Sequence, residues 1–172
     1  PMREQALLDP RPVAELSEKD AQRSMRLADT PIGTGHDNFL VGITVHMTIT
    51  ASVKWWQQFQ RYHFADIVSR QSTMHKLPDM LKNGTARFRP EVDERIVSIV
   101  KRMALEGASL EQLAYSCPMG LEMPAAVTTN YRQLKTIYQQ RKTHRLQEWR
   151  EFCLILAVGL PCSYLFTKVN EP

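Results

Sequence analysis

Two groups of polar residues have the types and spacing that could do chemistry. The planar guanidinium of arginine can hold a phosphate through two bonds, and glutamine or asparagine amides can read the edge of a pyrimidine or flavin ring. A nucleotide site is therefore chemically possible, although charged helix ends are usually only solvated. The first group contains Gln58, Arg61, Tyr62, His63, Asp66, Ser69, Arg70, Gln71 and Ser72, and the second contains Asn130, Arg132 and Arg141.

Other kinds of site leave no pattern in the sequence. There is no hydrolase elbow, P-loop or glycine-rich dinucleotide fingerprint, and no metal-ligand spacing. Cys117, Cys153 and Cys162 are odd in number and lack paired spacing, which favours free, buried thiols over disulfides or a zinc site. We therefore predict neither a metal nor a conventional catalytic constellation.

Composition fits one globular domain over residues 1–172, with 43% hydrophobic and 23% charged residues. The net charge is +4, but 22 basic residues are spread among 18 acidic ones. This pattern does not favour nucleic-acid binding, and an anionic small ligand fits it as well. The longest apolar stretch has about nine residues, against roughly 20 for a membrane span, and no signal peptide is visible. We expect a cytoplasmic protein.

The first polar group follows a strand and a helix. Apolar and polar residues alternate from Ile43 to Ile49, which predicts a strand with His46 on its polar face as a solvent or interface residue. The period then becomes helical from Ala51 to about His63. Trp55 and Trp56 on this helix are interpreted as packing residues, the alternative being a stack on a flavin or base. A polar loop is expected to follow.

Capping signals divide the rest of the chain. Pro10 and Pro12 disfavour a helix near the N-terminus, and Ser17 caps a helix to about Leu27. Pro90 can begin the next helix, which Gly107 ends, and a capping box starts at Ser109. That helix has a predicted buried stripe of Ile96, Val97, Ile99, Val100, Met103 and Ala104.

The second polar group is expected on the last long helix. The segment from Cys117 to Pro124 is predicted to be irregular, because it contains two prolines and a glycine. Thr128, Thr129 or Asn130 then caps a helix that runs to about Leu156. The arginines along this helix are alternatively read as a solvated basic face paired with acids. These arginines are Arg132, Arg141, Arg145 and Arg150.

These residues resemble the flavin-dependent thymidylate synthases, the ThyX family. Its pattern begins with Gly-His-Glu and continues to the signature Arg-His-Arg-x-x-Ser-x-Asn-Glu-x-Ser-x-Arg-Tyr. Gly35-His36-Asp37 is similar to the opening, and Arg61-Tyr62-His63 follows at a similar spacing. In the second half, Pro118, Asn130-Tyr131-Arg132 and Arg141 are similar at the family's intervals. The resemblance extends from about Ser24 to Phe166.

The resemblance implies an α/β (α+β) fold with a helix-flanked central sheet. It implies a homotetramer whose active sites lie between subunits and hold FAD. The implied reaction is the methylation of dUMP to dTMP, with methylenetetrahydrofolate as carbon donor and NADPH as reductant. The expected function is thus transfer of a one-carbon unit to C5 of a pyrimidine deoxynucleotide, and the alternative is a non-catalytic flavin- or nucleotide-binding or scaffold protein.

The resemblance also implies roles for single residues. The expected catalytic residue is Arg141, which would hold the pyrimidine. The expected FAD-binding residues are His36, Arg61, His63, Asn130 and Arg132. The expected nucleotide-binding residues are Gln58, Ser69, Arg70, Gln71 and Arg141.

Half of the signature is replaced in this chain. In register, Asp66, Val68, Ser69, Gln71, Thr73 and Met74 stand where the family has Ser, Asn, Glu, Ser, Arg and Tyr. Arg70 is placed to compensate for the missing arginine, and a one-residue shift would instead bring Ser72 onto the signature serine. Val41-Gly42 also replaces a Glu-His pair, and Arg145 replaces a flavin-contacting histidine. Flavin binding is therefore expected more firmly than thymidylate synthesis.

Overall fold

The computed structural model describes residues 17–31 and 33–168, apart from the side chain of Met74. Pro10 and Pro12 lie outside the described residues. The strands are β1 (Thr44–Ser52), β2 (Asp66–Arg70) and β3 (Glu122–Asn130), and a 3₁₀ helix covers Asn38–Gly42. The helices are α1 (Glu18–Ala28), α2 (Val53–Phe59), α3 (Thr73–Lys82), α4 (Glu94–Leu105), α5 (Leu110–Ser116), α6 (Tyr131–Arg141), α7 (Gln147–Gly159) and α8 (Tyr164–Thr167). The predicted mixture of helices and a sheet is confirmed.

The three strands form one antiparallel sheet in the order β1-β3-β2. The predicted strand is confirmed as β1, in which Val45 and Ile49 are buried while His46 is exposed. At one end of the β1–β3 pair the Tyr131 N–H donates to the Ile43 carbonyl over 3.0 Å. His46 Nδ1 lies 2.9 Å from the Thr128 hydroxyl, as a cross-strand pair should. The polar side chains of β1 and β3 therefore lie on the same side of the sheet.

The described chain divides into two compact units. Of the described residues, unit 1 contains 17–31, 33–47, 63–66 and 128–168, and unit 2 contains 48–62 and 67–127. Strands β1, β2 and β3 each have residues in both units. The expectation of a single domain stays a prediction.

Unit 1 is built around α6. This helix contacts α7, α8 and the 3₁₀ helix, and α1 contacts α8. Its buried side chains include Tyr131, Leu134 and Ile137. The Tyr131 ring meets the Phe166 ring edge-on at 5.1 Å between centroids, and its hydroxyl donates to the Pro161 carbonyl. Residues before the sheet and after it thus share one core.

Unit 2 has an aromatic cluster on α2 at its centre. Trp55, Trp56 and Phe59 are fully buried, so the interpretation of the tryptophans as packing residues is confirmed. The rings of Trp55 and Phe59 stack at 4.8 Å, and those of Trp56 and Phe59 meet edge-on at 5.4 Å. The Trp56 indole donates to the Met123 carbonyl over 2.8 Å, which satisfies its buried N–H. Elsewhere in this unit α3 contacts α4 and α5.

Capping signals located the starts of α1, α5 and α6. Ser17 accepts the Asp20 N–H at the start of α1, and Ser109 and Gln112 exchange both bonds of a capping box at α5. Gly107 follows the end of α4 with a φ of +83°, the conformation that glycine adopts without strain. Asn130 caps α6 by accepting the Gln133 N–H. These predictions are confirmed.

Several boundaries were wrong. Ala51 and Ser52 belong to β1, because Ser52 caps α2 by accepting the Trp55 N–H; α2 then ends at Phe59 rather than His63. Helix α4 begins at Glu94 and not at Pro90, since Asp93 accepts the Arg95 N–H and acts as the cap. On α4 only Val100 and Ala104 of the predicted stripe are buried, while Ile96 and Ile99 are exposed.

Two larger elements were also wrong. The polar loop after α2 contains β2 and α3, and the predicted irregular segment ending at Pro124 includes the start of β3. The Pro124 carbonyl accepts the Gln71 N–H, which uses the one backbone group that proline can offer to a sheet. The predicted last helix is in fact two helices, α6 and α7. In the segment between them, the Leu146 N–H donates to His144 Nδ1 instead of to a helical carbonyl.

The aromatic cluster predicts the effect of a truncation. Phe59→Ala should lower the free energy of unfolding by about 3–5 kcal/mol, because it leaves a cavity between two buried tryptophans. Chemical denaturation measures the loss. Leu105→Ala, at a side chain that is 70% exposed, is the matched control and should change stability by less than about 1 kcal/mol. Equal losses for the two variants would contradict this packing account.

Candidate functional site

The N-terminus of α6 holds two of the predicted FAD-binding residues. Asn130 Oδ1 accepts the Gln133 N–H over 2.9 Å and so caps the helix. Arg132 is the second residue of α6, and its Nη1 donates to Asn38 Oδ1 over 2.8 Å. The amide Nδ2 of Asn130 and the edge of the Arg132 guanidinium are donors that suit an anionic or heterocyclic ligand.

A buried carboxylate lies beneath this surface. Asp37 is fully buried, and its Oδ2 accepts a bond from Lys135 Nζ over 3.2 Å. Its other oxygen, Oδ1, lies 3.6 Å from Arg132 Nε and has no hydrogen-bond partner. Lys135 is 2% exposed and also donates to the Thr30 carbonyl over 2.7 Å. Because a buried charge needs a partner, these bonds hold the Gly35–Asp37 stretch against α6.

The structure thereby brings together residues that are far apart in sequence. His36 is exposed beside the buried Asp37. His63 is exposed in a turn that also belongs to unit 1, and the carbonyl of the next residue, Phe64, accepts the Thr129 hydroxyl over 2.9 Å. Thr129 directly precedes Asn130. His36, His63, Asn130 and Arg132 are thus all tied to the junction of β3 and α6.

Arg141 lies at the other end of α6. It follows Arg132 by nine positions, or about 14 Å along the helix axis. Its guanidinium carbon stands 4.6 Å from the ring centroid of the buried Trp149, in cation–π contact. Arg141 is half-buried, so this stack fixes the plane of its charged group. The predicted catalytic residue is therefore separate from the Asn130–Arg132 pair within unit 1.

The remaining predicted residues belong to unit 2. Gln58 is half-buried on α2, while Arg61 is exposed just beyond it. Ser69 and Arg70 are exposed on β2, and the Arg70 guanidinium lies 5.8 Å from the Trp56 ring centroid. Gln71 is half-buried and its Nε2 lies 3.4 Å from Met80 Sδ. Ser69 and Arg70 end β2, an edge strand of the sheet, and Gln71 follows them directly.

An open cavity of about 200 Å³ in unit 2 includes Gln71. Its lining residues are Thr50, Gln71, Met80, Thr85, Arg87, Glu122 and Pro124. Pockets for drug-sized ligands are typically about 300–1,000 Å³, so this cavity is too small for a dinucleotide. Among residues 17–31 and 33–168, no three His, Cys, Asp or Glu side chains cluster in a way that could hold a metal ion.

The three cysteines are free thiols in the structure. Cys153 is buried, and its burial raises the pKa to about 11 although the charge of Arg141 acts in the opposite direction. Burial also raises the pKa of Cys117. Such thiols stay protonated at neutral pH and are poor nucleophiles. Cys117 and Cys153 are therefore packing residues here.

Sequence reasoning gave no role to Lys135 and only a motif position to Asp37. Lys135 follows Arg132 by three residues, which places both cations on one face of a helix. That spacing was a usable signal. The acidic partner, 98 residues earlier in the chain, could not be assigned without the fold.

Comparison with solved structures gives the fold a known counterpart. The chain is similar to the crystal structure of flavin-dependent thymidylate synthase ThyX from Helicobacter pylori complexed with FAD and dUMP, with a TM-score of 0.70 at 17% identity over 87% of this chain and 83% of that chain. The chain has the fold of a flavin-dependent thymidylate synthase. A second ThyX crystal structure from Helicobacter pylori, with FAD and dUMP, gives a TM-score of 0.68 at 18% identity over 87% and 82% of the two chains. No protein-family model and no curated protein matches the sequence.

In the part of the chain that the structure describes, every helix is too short or too polar to cross a membrane.

The buried ion pair predicts a coupling between two side chains. Asp37→Asn should lower the free energy of unfolding by about 3–5 kcal/mol, because Lys135 then keeps a buried charge without its counterion. The double variant Asp37→Asn with Lys135→Met should lose less than the sum of the single losses in a double-mutant cycle. Asp93→Asn, which breaks an exposed pair with Arg95, is the control and should change stability little, because exposed ion pairs are screened by water. Strict additivity at Asp37 and Lys135 would contradict the coupling.

His144 predicts a dependence of stability on pH. Burial lowers the pKa of His144 below its ordinary value of 6.5, and the charge of Arg141 lowers it further. The unfolded chain then binds this proton more readily than the folded chain, so the stability contribution is present above pH 6.5 and is lost as pH falls through the folded pKa. NMR titration of the His144 ring should give a pKa below 6.5, and Arg141→Gln should raise it. Lys142→Gln is the matched control, and a pKa above 6.5 would contradict the account.

Proposed function

We propose that this chain binds FAD and a pyrimidine deoxynucleotide and transfers a one-carbon unit to C5 of the base, as a thymidylate synthase-like enzyme. The observation that carries the proposal is the fold, which matches over 87% of the chain that of an enzyme complexed with FAD and dUMP. The adjacency of Gly35–Asp37 and Asn130–Arg132 in unit 1 supports it, because both stretches were assigned to the flavin from sequence. Methylenetetrahydrofolate and NADPH are proposed as co-substrates.

In this proposal His36, His63, Asn130 and Arg132 hold the flavin, together with Arg61. The donor set fits the group: Asn130 keeps its amide N–H donors while Oδ1 caps α6, and Arg132 is 31% exposed. FAD would supply hydride-transfer chemistry that side chains lack. The role of the protein residues is to bind and orient, through hydrogen bonds from amide and guanidinium groups.

Arg141 is proposed to hold the pyrimidine base. The face of the Arg141 guanidinium lies against the Trp149 ring. The N–H donors of a guanidinium lie around the edge of its plane, where they can bond to the carbonyl oxygens of a base. Gln58, Ser69, Arg70 and Gln71 are proposed to contact the nucleotide. The proposed assembly is a homotetramer with sites between subunits, as the resemblance to the ThyX family implies.

A non-catalytic role is the second candidate. The observation that favours it is β2, where Val68 presents an apolar side chain that is 67% exposed at a position of the signature that is asparagine in the ThyX family. Loss of one arginine–phosphate bond removes about 1.5–3 kcal/mol of binding, or roughly one to two decades in affinity. A chain altered in this way could keep the flavin and lose the reaction.

A binding assay tests FAD binding, and a turnover assay then separates the two candidates. FAD at about 100 times its dissociation constant should stabilise the folded chain by about 2.7 kcal/mol, which a thermal shift measures. Asn130→Asp, which preserves the helix cap but removes the amide donors, should weaken FAD binding without a large loss of stability. Flavin oxidation in the presence of dUMP or dCMP and a folate donor then tests catalysis, and its absence with FAD bound would favour the non-catalytic role.

Arg141 is tested in the same assay. Arg141→Ala should abolish nucleotide binding while FAD remains bound, and Lys142→Ala, which removes one positive charge from the next residue, should change neither. A colourless protein with no thermal shift on addition of FAD would refute the proposed function. Loss of FAD binding in Arg141→Ala alone would refute the division of roles between the two ends of α6.

A further inference from the structure

The Arg132 guanidinium is held in an incomplete arrangement. Its Nη1 is bonded to the exposed Asn38 at 2.8 Å, while its Nε stands 3.6 Å from Asp37 Oδ1. Hydrogen bonds of this kind are normally about 2.7–3.2 Å long, so the Nε contact is an ion pair without a hydrogen bond. The guanidinium therefore donates a hydrogen bond through Nη1 to Asn38, while its Nε makes only an ion pair with Asp37.

The oxygen that faces Arg132 Nε is Asp37 Oδ1, a buried hydrogen-bond acceptor. Asp37 Oδ1 is buried and accepts no hydrogen bond, and a buried acceptor in this condition is costly and uncommon. Lys135 is committed to Oδ2 and to the Thr30 carbonyl. Arg132 Nε is the donor beside Oδ1, and a movement of roughly 0.5 Å or more would complete the bond.

We propose that Asn38 is an internal stand-in for a ligand oxyanion, and that Arg132 exchanges the Asn38 amide for that oxyanion while Nε closes on Asp37. This inference rests on the proposed function and deepens it, because it says how the ligand is admitted. Asp37 is then a positioning residue that orients Arg132, and Asn38 competes with the ligand.

The charges agree with an anionic ligand. Two cationic side chains, Arg132 and Lys135, face the one carboxylate of Asp37, so basic groups outnumber acidic groups by one in this cluster. A carbonyl oxygen such as that of Asn38 is a weaker acceptor for a guanidinium than a phosphate oxygen, which forms shorter and stronger charge-assisted bonds. A phosphate of FAD or of the nucleotide can therefore displace Asn38.

The distinguishing variant is Asn38→Ala. Removal of a competitor should tighten ligand binding by about two- to tenfold, whereas removal of a structural contact would weaken or not change it. Asn38 is exposed, so the substitution should leave the fold intact. Asn83→Ala, at an exposed asparagine in unit 2, is the matched control and should not change affinity. Arg132→Lys keeps the charge but loses the fork, and should weaken binding about tenfold or more.

Calorimetric titrations with FAD, dUMP, riboflavin and inorganic pyrophosphate supply the test. We expect Asn38→Ala to bind pyrophosphate and either FAD or dUMP more tightly, and the compound that responds identifies the source of the phosphate. Riboflavin, which has no phosphate, should bind the variant and the natural chain equally. If the natural chain does not bind FAD, the proposed function is refuted but the inference about Asn38 is not. Pyrophosphate still tests whether an oxyanion replaces Asn38 at Arg132. Unchanged or weaker binding of all three phosphate compounds by Asn38→Ala would overturn the inference.

Discussion

The arrangement of unit 1 depends on one buried carboxylate. A charge that is removed from water must be paired, and Asp37 finds Lys135 at 3.2 Å and Arg132 at 3.6 Å, both on α6. These contacts fix the 3₁₀ helix and the stretch before it against α6. The exposed His36 and the Arg132 guanidinium are consequently held on the same part of the surface. The cost of burying Asp37 is offset only in this geometry, which makes it a constraint on the candidate site as well as on the fold.

Local signals in the sequence predicted a large part of the fold. Strand β1 follows from strict alternation, and the starts of α1, α5 and α6 follow from Ser17, Ser109 and Asn130, whose side chains accept backbone N–H groups within three residues. The position of each of these elements is determined by residues that are close to it in sequence. The resemblance to the ThyX family then predicted a mixed fold, which the similarity to solved structures confirms.

The elements that the sequence did not predict depend on contacts that cannot be read from the local pattern. Pro124 in the central strand argues against a strand from sequence, yet its carbonyl is paired with the Gln71 N–H. The break between α6 and α7 has neither proline nor glycine and is marked by the contact of His144 with the Leu146 N–H. In the candidate site, residue types were predictable from motif spacing. The partners Asn38, Asp37 and Lys135, which decide what Arg132 can do, became visible only with the fold.

The residues assigned to the flavin and those assigned to the nucleotide are unevenly divided between the two units. Four of the five residues assigned to FAD lie in unit 1, tied to the junction of β3 and α6, and four of the five assigned to the nucleotide lie in unit 2, where the signature is altered. The most direct test is a crystal structure of the chain soaked with FAD and dUMP. We expect flavin density in contact with Asn130 and Arg132 at the start of α6. Flavin density remote from that helix, or no flavin density after a soak at saturating FAD, would contradict this assignment.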